Sequence, residues 1–491
     1  MLDESVTARE GNRRVGSAVI PRRLGRNGGE LDRPYLYFEA PCAIDVESPR
    51  ILLVSHTFPP DPEVGGLRWQ QMVRHFGQRG WAFDVLTRDF RGVHGLDLAR
   101  LATLPASTRV FSVPAKDPIT LRIQRTAWPL LRRALGRAGR KGEPRSSQSE
   151  READAGSRRA SRRLLRAYLA WITFARDGKW ARAAARAGAA LAARESYHVV
   201  ISSGPPHMAH EGARLIARQF GLPHVVDMRD PWSLVQRLSD EIASPVWRHL
   251  AKRFERRVIR DAALITMNTE ASRDAMRVAY PAHADKIDVI RNGCDDEPLP
   301  AAQRNGRFTI KFAGSIYIDR DPRLVFRAAA RVIRDLGLAP SQFAIEFVGE
   351  VDKFGGTPTM QIAREEGIEE HVSIGGLIKR QAALEFLAGA AVLLSLPQDS
   401  DFAIPAKIYE YLRFDAWMLV LAHARSATAD LLRGTDADVL EPSDVDAIAA
   451  AIRRRYEQYS RGEVPAAAGR DGRFDRRLQS EKLIRAIEHI A

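Results

Sequence analysis

The sequence predicts an α/β protein of two Rossmann-like domains facing a cleft, with a basic helical and disordered insert in the first domain. Three observations predict it. The chain has 491 residues, too many for a single hydrophobic core. From Arg50 onward, short apolar runs alternate with amphipathic stretches, the pattern of parallel sheets covered by helices on both faces. One polar, turn-rich stretch, "NGCDDEPLPAAQRNG", interrupts the alternation and reads as a hinge linker.

Residues 1–48 are polar and rich in Gly and Arg, and a disordered tail is expected there. The first domain, residues 49–300, opens on the strand "RILLVSH" and the amphipathic helix "GGLRWQQMVRHFGQRG", closed by Gly80. The strands "AFDVLTRD" and "TRVFSVPA" follow. Beyond a basic block come "YHVVISSGPP", the helix "HMAHEGARLIARQFGL", and the strands "PHVVDMRDPW", "AALITMN" and "KIDVIRNG". The second domain, residues 301–470, repeats the scheme with "FTIKFAGSI", "FAIEFVGEV", "HVSIGGLI", "AVLLSLP" and "WMLVLAHA". Residues 471–491 are expected to form a helix packing back on the first domain. Ligands of such sheets bind at strand C-termini. The lack of G-x-G-x-x-G and Walker A motifs argues against a dinucleotide dehydrogenase and a P-loop NTPase.

Composition is that of a globular protein, 45% hydrophobic and 28% charged. Two cysteines, Cys42 and Cys294, cannot build a disulfide framework and suit a reducing cytoplasm. The sequence has no run of about 18 apolar residues that would suggest a membrane span, and its first residues lack an apolar signal core. A cytoplasmic location is expected. The net charge is +14, and residues 115–195 hold nearly all of the excess, with about 20 Lys/Arg against about 7 Asp/Glu. One basic block points to a local attachment to something anionic, whereas nucleic acid calls for a broadly basic surface.

Inside that block, "GRAGRKGEPRSSQSEREADAGSRRAS" has the composition of a flexible loop. Its flanks are amphipathic. Leu164, Leu165, Tyr168, Leu169 and Ile172 share a helical stripe edged by Trp171, and Arg158, Arg159, Arg162, Arg163 and Arg166 crowd its start. Upstream, Ile123, Trp128, Leu131 and Leu135 repeat the theme. Such helices suit the surface of an anionic bilayer, at the inner face of the cytoplasmic membrane; the plainer reading packs the stripes on the first domain.

Four constellations could carry chemistry. In "HTFPPDPEVGGLRW", Gly65 and Gly66 allow close backbone approach, and the next helix offers free N–H groups to an anion. In "ISSGPPHMAH" and "VVDMRDPW", strand ends bring Ser203, Gly204, His207, Asp227, Arg229 and Asp230 to one side. In "FAGSIYIDRDP", Gly314, Ser315 and Arg320 could receive a diphosphate. In "IPAKIYEYLRF", Pro405 opens a helix that projects Lys407 and Glu410 from one face. A carboxylate there could accept from a ribose diol while the lysine supplies positive charge. The plainer readings are turns, capping carboxylates and a surface ion pair.

In their order these segments resemble the family-4 retaining glycosyltransferases of the GT-B fold. "HTFPPDPEVGGLR" resembles the family's glycine loop. "SSGPPHMAHEGARLIARQFGLPHVVDMRDPW" is similar to one segment of a bacterial polysaccharide and glycolipid subgroup. "VIRNGCD" resembles the turn before its hinge, and "IPAKIYEYL" its P-x-K-x-x-E-Y-L helix. The resemblance implies that Glu410 holds the donor ribose, with Lys407 in the same pocket. Arg320 would bind the donor diphosphate, and Gly65 and Gly66 would contact donor phosphate or acceptor. Asp227, Arg229 and Asp230 would face the transferred sugar. Asp401 stands beside the position of the family's first acidic residue, Ser315 replaces a usual Arg, and "FDAWMLV" replaces a Gly-x-Pro turn.

The expected function is sugar transfer from a nucleotide-sugar, with retention, to a lipid-linked or polysaccharide acceptor. No metal or other cofactor and no nucleic-acid partner is expected. The alternatives are a GT-B-fold sugar-nucleotide epimerase and a non-catalytic scaffold at the membrane.

Overall fold

The computed structural model describes residues 35–39, 48–118, 121, 148–235, 238–239, 241–295, 298–301, 306–397, 400–467, 469 and 472–490. The first sheet contains β1 (Tyr35–Glu39), β2 (Arg50–Ser55), β3 (Ala82–Arg88), β4 (Thr108–Val113), β5 (Val199–Ser203), β6 (His224–Arg229), β7 (Leu264–Met267) and β8 (Ile287–Val289). Their spatial order is β1-β4-β3-β2-β5-β6-β7-β8. β2 is buried at every position, as a central parallel strand covered on both faces must be. The chain runs outward from β2 to β4, then returns to place β5 against the other side of β2. That reversal makes the β2/β5 junction a topological switch point, where the loops leaving the two strand ends diverge and open a crevice.

Within the expected disordered tail, residues 35–39 depart from the expectation. They form β1, antiparallel on β4, because "YLYFE" has aromatic side chains to pack. Tyr37 meets Phe90 with ring centroids 4.7 Å apart, and the Tyr35 hydroxyl donates to Asp89 at 3.0 Å. The remainder of the tail, residues 1–34 and 40–47, lies outside the described residues.

Around this sheet lie α1 (Leu67–Gln78), α2 (Gln148–Ala192), α3 (Met208–Phe220), α4 (Pro245–Asp261) and α5 (Glu270–Ala279). Local signals set their ends. The Ser244 hydroxyl accepts from the Trp247 amide at the start of α4, and Thr269 does the same for Ser272 in α5. Gly221 ends α3 in the left-handed conformation, φ 67°. One buried charge is built in early: Asp84 of β3 accepts from Arg50 at 3.2 Å, from Arg109 at 2.7 Å and from Tyr197. Two guanidinium groups and a hydroxyl offset its loss of hydration.

The insert is more helical than its composition suggests. α2 already begins at Gln148, inside the stretch read as a flexible loop; Glu, Ala and Arg are good helix formers, and they dominate "EREADAGSRRASRR". Its later part packs on the domain, with Ala170, Ile172, Phe174, Trp180, Ala181 and Ala184 buried. Its earlier part does not. Leu164 is 72%, Leu165 43% and Trp171 44% exposed, while Tyr168 and Leu169 are half-buried. The stripe therefore divides between packing and exposure. The side chains of Arg158, Arg159 and Arg162 lie outside the described residues, as do Ile123, Trp128, Leu131 and Leu135 upstream.

The second sheet contains β9 (Phe308–Ser315), β10 (Phe343–Glu350), β13 (Val372–Gly375), β14 (Val392–Ser395), β15 (Trp417–Leu421) and β16 (Asp438–Leu440), with the hairpin β11 (Lys353–Phe354) and β12 (Thr357–Pro358) set apart. The sheet is parallel, in the order β13-β10-β9-β14-β15-β16, so its switch point is β9/β14. Its helices are α6 (Arg323–Leu336), α7 (Thr359–Glu365), α8 (Arg380–Ala388), α9 (Ala406–Tyr411), α10 (Ala427–Leu432) and α11 (Val445–Ser460). Phe308, Phe312, Phe326 and Phe347 fill its core.

The last helix, α12 (Arg476–Ile490), returns to the first domain and inserts Leu483, Ile484 and Ile487 into the core shared with Trp69 and Phe76. The crossing is tight. A Cβ on Gly293 would lie 2.7 Å from the Phe474 carbonyl oxygen, which is why glycine stands at the turn. Arg476 secures the crossing by donating to Asp295 at 2.9 Å and to the Gly293 carbonyl.

Where α2 crosses α3, a Cβ on Gly212 would lie 2.8 Å from the Ala181 carbonyl oxygen. Gly212→Val forces the helices apart and is expected to cost about 1–3 kcal/mol. Urea titration checks this, and an unchanged midpoint contradicts the crossing.

Candidate active site

Asp227 was expected to face the transferred sugar, but its side chain is 1% exposed. It sits at the end of β6, with α1 above and β5 and β7 alongside. Its oxygens accept from Arg68 Nε at 3.1 Å and Nη2 at 3.0 Å, from Trp69 Nε1 at 2.8 Å, from Thr266 Oγ1 at 3.1 Å and from Ser203 Oγ at 3.3 Å. Burial alone would raise its pKa; Arg68, Arg229 and the Trp69 hydrogen bond together outweigh burial and hold it below the usual carboxylate range. A carboxylate with these donors positions the strand ends and has no surface to offer a substrate. Arg68 carries the tie further, donating to the carbonyls of Ile290 at 2.8 Å and Arg291 at 2.9 Å and to Asn292 Oδ1 at 2.9 Å. That segment leads to the second domain.

Two residues on, Arg229 adopts φ 62°, a left-handed conformation uncommon outside glycine. Its guanidinium folds back over the strand ends and donates to the carbonyls of Gly204, Gly65 (3.2 Å) and Pro205 (3.1 Å). The loops after β2 and β5 are thereby stapled together at the switch point. A Cβ on Gly204 would lie 2.5 Å from His210 Nε2 and 2.7 Å from His207 Nδ1, so only glycine leaves room for both imidazoles. His207 stacks on Trp232 with centroids 5.2 Å apart. Burial, helped by Arg229, lowers its pKa to about 3, and it stays neutral at pH 7. Asp230 is half-buried beside Arg229 at the same edge.

A cavity of about 610 Å³ opens at this switch point, lined by His56, Thr57, Glu63, Gly65, Arg88, Arg176, Pro205, Pro206 and Arg229. Gly65 and Gly66 pack hard against the preceding strand end; a Cβ would lie 2.9 Å from Thr57 Oγ1 and 3.2 Å from the Phe58 backbone, respectively. Arg88 pairs with the fully buried Asp61 and, at 3.1 Å, with Glu63. Arg176 comes from α2. His56 packs edge-on to Trp180, 4.8 Å between centroids; burial first, then Arg88 and Arg176, lower its pKa to about 4. Arg88 and Arg176 were not singled out in the sequence. Each is one arginine among many until the fold brings it to the crevice.

On the second domain, Lys407 and Gly314 meet at the β9/β14 switch point. Lys407 Nζ donates to the Ala313 carbonyl at 3.1 Å and lies 3.7 Å from the Phe312 ring centroid. Gly314, at φ 143°, leaves the space; a Cβ there would lie 2.9 Å from that Nζ. Gly349 on β10, not among the expected residues, is held more tightly, at φ 121° with a hypothetical Cβ 2.0 Å from the Gly314 carbonyl oxygen. Its signal was available in "FVGEV", a glycine closing a buried strand. Glu410 pairs with Arg380 at 2.8 Å, 22% and 36% exposed, so Arg380 orients that carboxylate. Ser315 donates to Glu350 at 3.1 Å, and Arg320 stacks over Tyr317 at 4.3 Å. Asp401 lies in the loop before α9, its carbonyl accepting from the Ala427 amide at 2.8 Å. The neighbouring Phe402 carbonyl accepts from Thr269 at 2.6 Å and Ser272 at 3.1 Å, bringing this loop against the β7–α5 edge of the first domain.

Two carboxylates proposed for one site therefore differ in kind. Asp227→Asn strands the buried Arg68 charge and is expected to cost about 3–5 kcal/mol, whereas Glu410→Gln should change stability by less than about 1 kcal/mol. Denaturant titration of both variants checks the contrast, and equal losses contradict it.

Residues 144–293 match a family model described as a glycosyl transferase 4-like domain. No curated protein matches the chain. Among solved structures, sucrose-phosphate synthase from Thermosynechococcus elongatus superposes with a TM-score of 0.58 at 13% identity, covering 91% of this chain and 100% of that one. HepE from Anabaena in complex with UDP-glucose gives 0.55 at 13% identity, covering 90% and 99%. The α,α-trehalose 6-phosphate synthase from Burkholderia multivorans gives 0.53 at 11%, covering 90% and 98%. At such identities the likeness speaks for the fold: the chain has two facing Rossmann-like domains in the GT-B arrangement, and residues 144–293 are similar to a glycosyl transferase 4-like domain.

Proposed function

We propose that this protein is a retaining glycosyltransferase moving a sugar from a nucleotide-sugar donor to a lipid-linked or polysaccharide acceptor. The observation that carries the reading is Lys407 seated in the space left by Gly314 at the switch point of the second sheet, with Glu410 three residues further along α9. The match to a glycosyl transferase 4-like domain supports it, as does the UDP-glucose bound by one structure of the same fold.

The chemistry follows from charge. A sugar leaves with a nucleoside diphosphate, so negative charge develops on the leaving oxygens, and cations already in place stabilise it most. Lys407 is held by Phe312 and the Ala313 carbonyl before any ligand arrives, which lowers the reorganisation needed. Arg320 is the second cation assigned to the donor diphosphate. Glu410, oriented by Arg380, accepts from the ribose diol. Arg229 and Asp230 border the transferred sugar, while Asp227 acts through the positions of its neighbours. Retention is assigned to front-face transfer in which a leaving diphosphate oxygen assists deprotonation of the acceptor. No metal enters this scheme.

The acceptor would be met at an anionic membrane surface. Among the described residues, no helix is long and apolar enough to cross a membrane. The exposed Leu164, Leu165 and Trp171 lie on one side of α2 beside exposed Arg163 and Arg166. Phe174 of α2 packs on Trp247 and Phe254 of α4, and α4 exposes Arg248, Lys252, Arg253, Arg256 and Arg260. Apolar side chains flanked by cations suit the headgroup boundary of an anionic bilayer.

A thermal-shift panel of nucleotide-sugars is expected to show stabilisation by at least one donor, reduced by Lys407→Ala and by Glu410→Ala. Loss of response to every nucleotide-sugar overturns the reading, and conversion of donor without an acceptor would make it an epimerase. Sedimentation with phosphatidylglycerol vesicles is expected to fall when Leu164 and Trp171 are replaced by Ser, and when Arg158, Arg159, Arg162, Arg163 and Arg166 are replaced by Gln. Binding that persists unaltered in both sets removes the membrane role.

A further inference from the structure

Another cavity, of about 370 Å³, lies between the C-terminal ends of α4 and α5. α4 leads into the start of β7, and α5, through the turn Pro281–Lys286, into the start of β8. The cavity therefore sits at the strand N-termini, the end of the first sheet opposite the crevice. Its lining includes Lys252, Arg256, Arg257 and Arg260 from α4, with Tyr280 and His283 from the segment after α5. No carboxylate is among the described lining residues. Lys252, Arg256 and Arg260 recur every four residues and so share one helical face, where like charges repel. Arg257 joins them from above the Phe254 ring, 5.7 Å from its centroid.

The carboxylates nearby are engaged elsewhere. Glu255 is fully buried and accepts from the Ser233 amide at 2.8 Å, the Ser233 hydroxyl at 2.5 Å and the Tyr280 hydroxyl at 2.6 Å. Asp261 accepts from Arg214 and from Arg260, each at 2.7 Å, and lies 3.6 Å from Arg218. Asp285 is exposed, and its charge acts on Lys286. Among the described residues, Lys252, Arg256 and Arg257 form no ion pair. Cations at a helix C-terminus ordinarily answer its last carbonyls, but that role is filled here. Lys286 donates to the carbonyls of Arg260 at 3.0 Å and Ala262 at 2.7 Å. Three cations thus crowd one concave site without a structural task that explains them.

We infer that this cavity binds a phosphate group. Guanidinium groups match phosphate oxygens in bidentate geometry, and an ammonium adds a point charge. The volume falls within the range of small-molecule sites. The site is separate from the cleft, so the inference stands apart from the transferase reading and does not depend on it. Two sources carry the same group: the headgroup of an anionic phospholipid, or a soluble phosphate ester.

The test compares two double variants of the full chain. Lys252→Gln with Arg256→Gln removes two exposed cations of the lining. Arg248→Gln with Arg253→Gln removes the same charge from the same helix outside the lining. All four side chains are exposed, so both variants are expected to keep the wild-type melting temperature. Inorganic phosphate and glycerol 1-phosphate are titrated calorimetrically at low salt, and phosphatidylglycerol vesicles are used in sedimentation. The lining variant is expected to weaken phosphate binding by at least about tenfold, and the control by less than about twofold. Phosphate should also shift the His283 ring resonances of the wild type, and not those of the lining variant. A loss of vesicle sedimentation specific to the lining variant identifies the lipid source. A loss confined to the calorimetric titrations identifies the soluble one. Stabilisation by a nucleotide-sugar is expected to be equal in all three proteins. The inference is overturned if neither soluble probe binds and the two variants sediment alike. It is equally overturned if both variants weaken binding to the same extent, which would mark a general surface charge.

Discussion

The Asp227–Arg68 pair is the interaction on which the rest of the first domain depends. It buries a full charge pair where β5, β6 and β7 end, and a pair in that position is tolerable only if every lone pair and proton finds a partner. Trp69, Ser203 and Thr266 complete the carboxylate, and the backbone of residues 290–291 completes the guanidinium. One cluster therefore fixes the start of α1, the ends of three strands and the segment entering the hinge. The same cluster sets the level of the floor over which Arg229 folds to join the β2 and β5 loops. The geometry of this edge rests on a buried charge pair.

The second domain solves an equivalent problem with space instead of charge. Gly349 lets the Gly314 backbone approach where no side chain would fit, and the room that Gly314 leaves is taken by the Lys407 ammonium, held over an aromatic ring. A lysine with its position fixed by a ring face and one carbonyl is already arranged for an anion. Each switch point thus carries a cation held by its own sheet. The contact between the Phe402 carbonyl and Thr269 sets how those edges meet.

Much of this was legible in the chain before folding. Buried strands such as "RILLVS" and "FAIEFV" declare themselves by unbroken hydrophobicity, and their alternation with amphipathic helices implies parallel sheets. "YLYFE" was missed because it is short and isolated between polar stretches, and its value as a strand depends on Phe90 and Asp89 being adjacent in space. The start of α2 was missed for a different reason. Low-complexity composition suggests a coil, yet Ala, Glu and Arg favour helix once the following turns are anchored by Phe174 and Trp180 against the domain.

Residue types with local spacing determined the two-domain α/β plan, the glycine loop at Gly65 and Gly66, and the helix bearing Lys407 and Glu410, because periodicity and turn chemistry are properties of neighbouring residues. Tertiary structure alone decided which ionisable groups are partners and which remain for a ligand. Asp227 and Asp230 look alike in "VVDMRDPW", yet one is enclosed by donors from three elements and the other is half-buried. Arg176 lies far from Gly65 in sequence and shares a cavity with it in space. Burial and charge pairing depend on distances between segments that only the closed sheet sets, and those distances separate an enclosed carboxylate from a half-buried one.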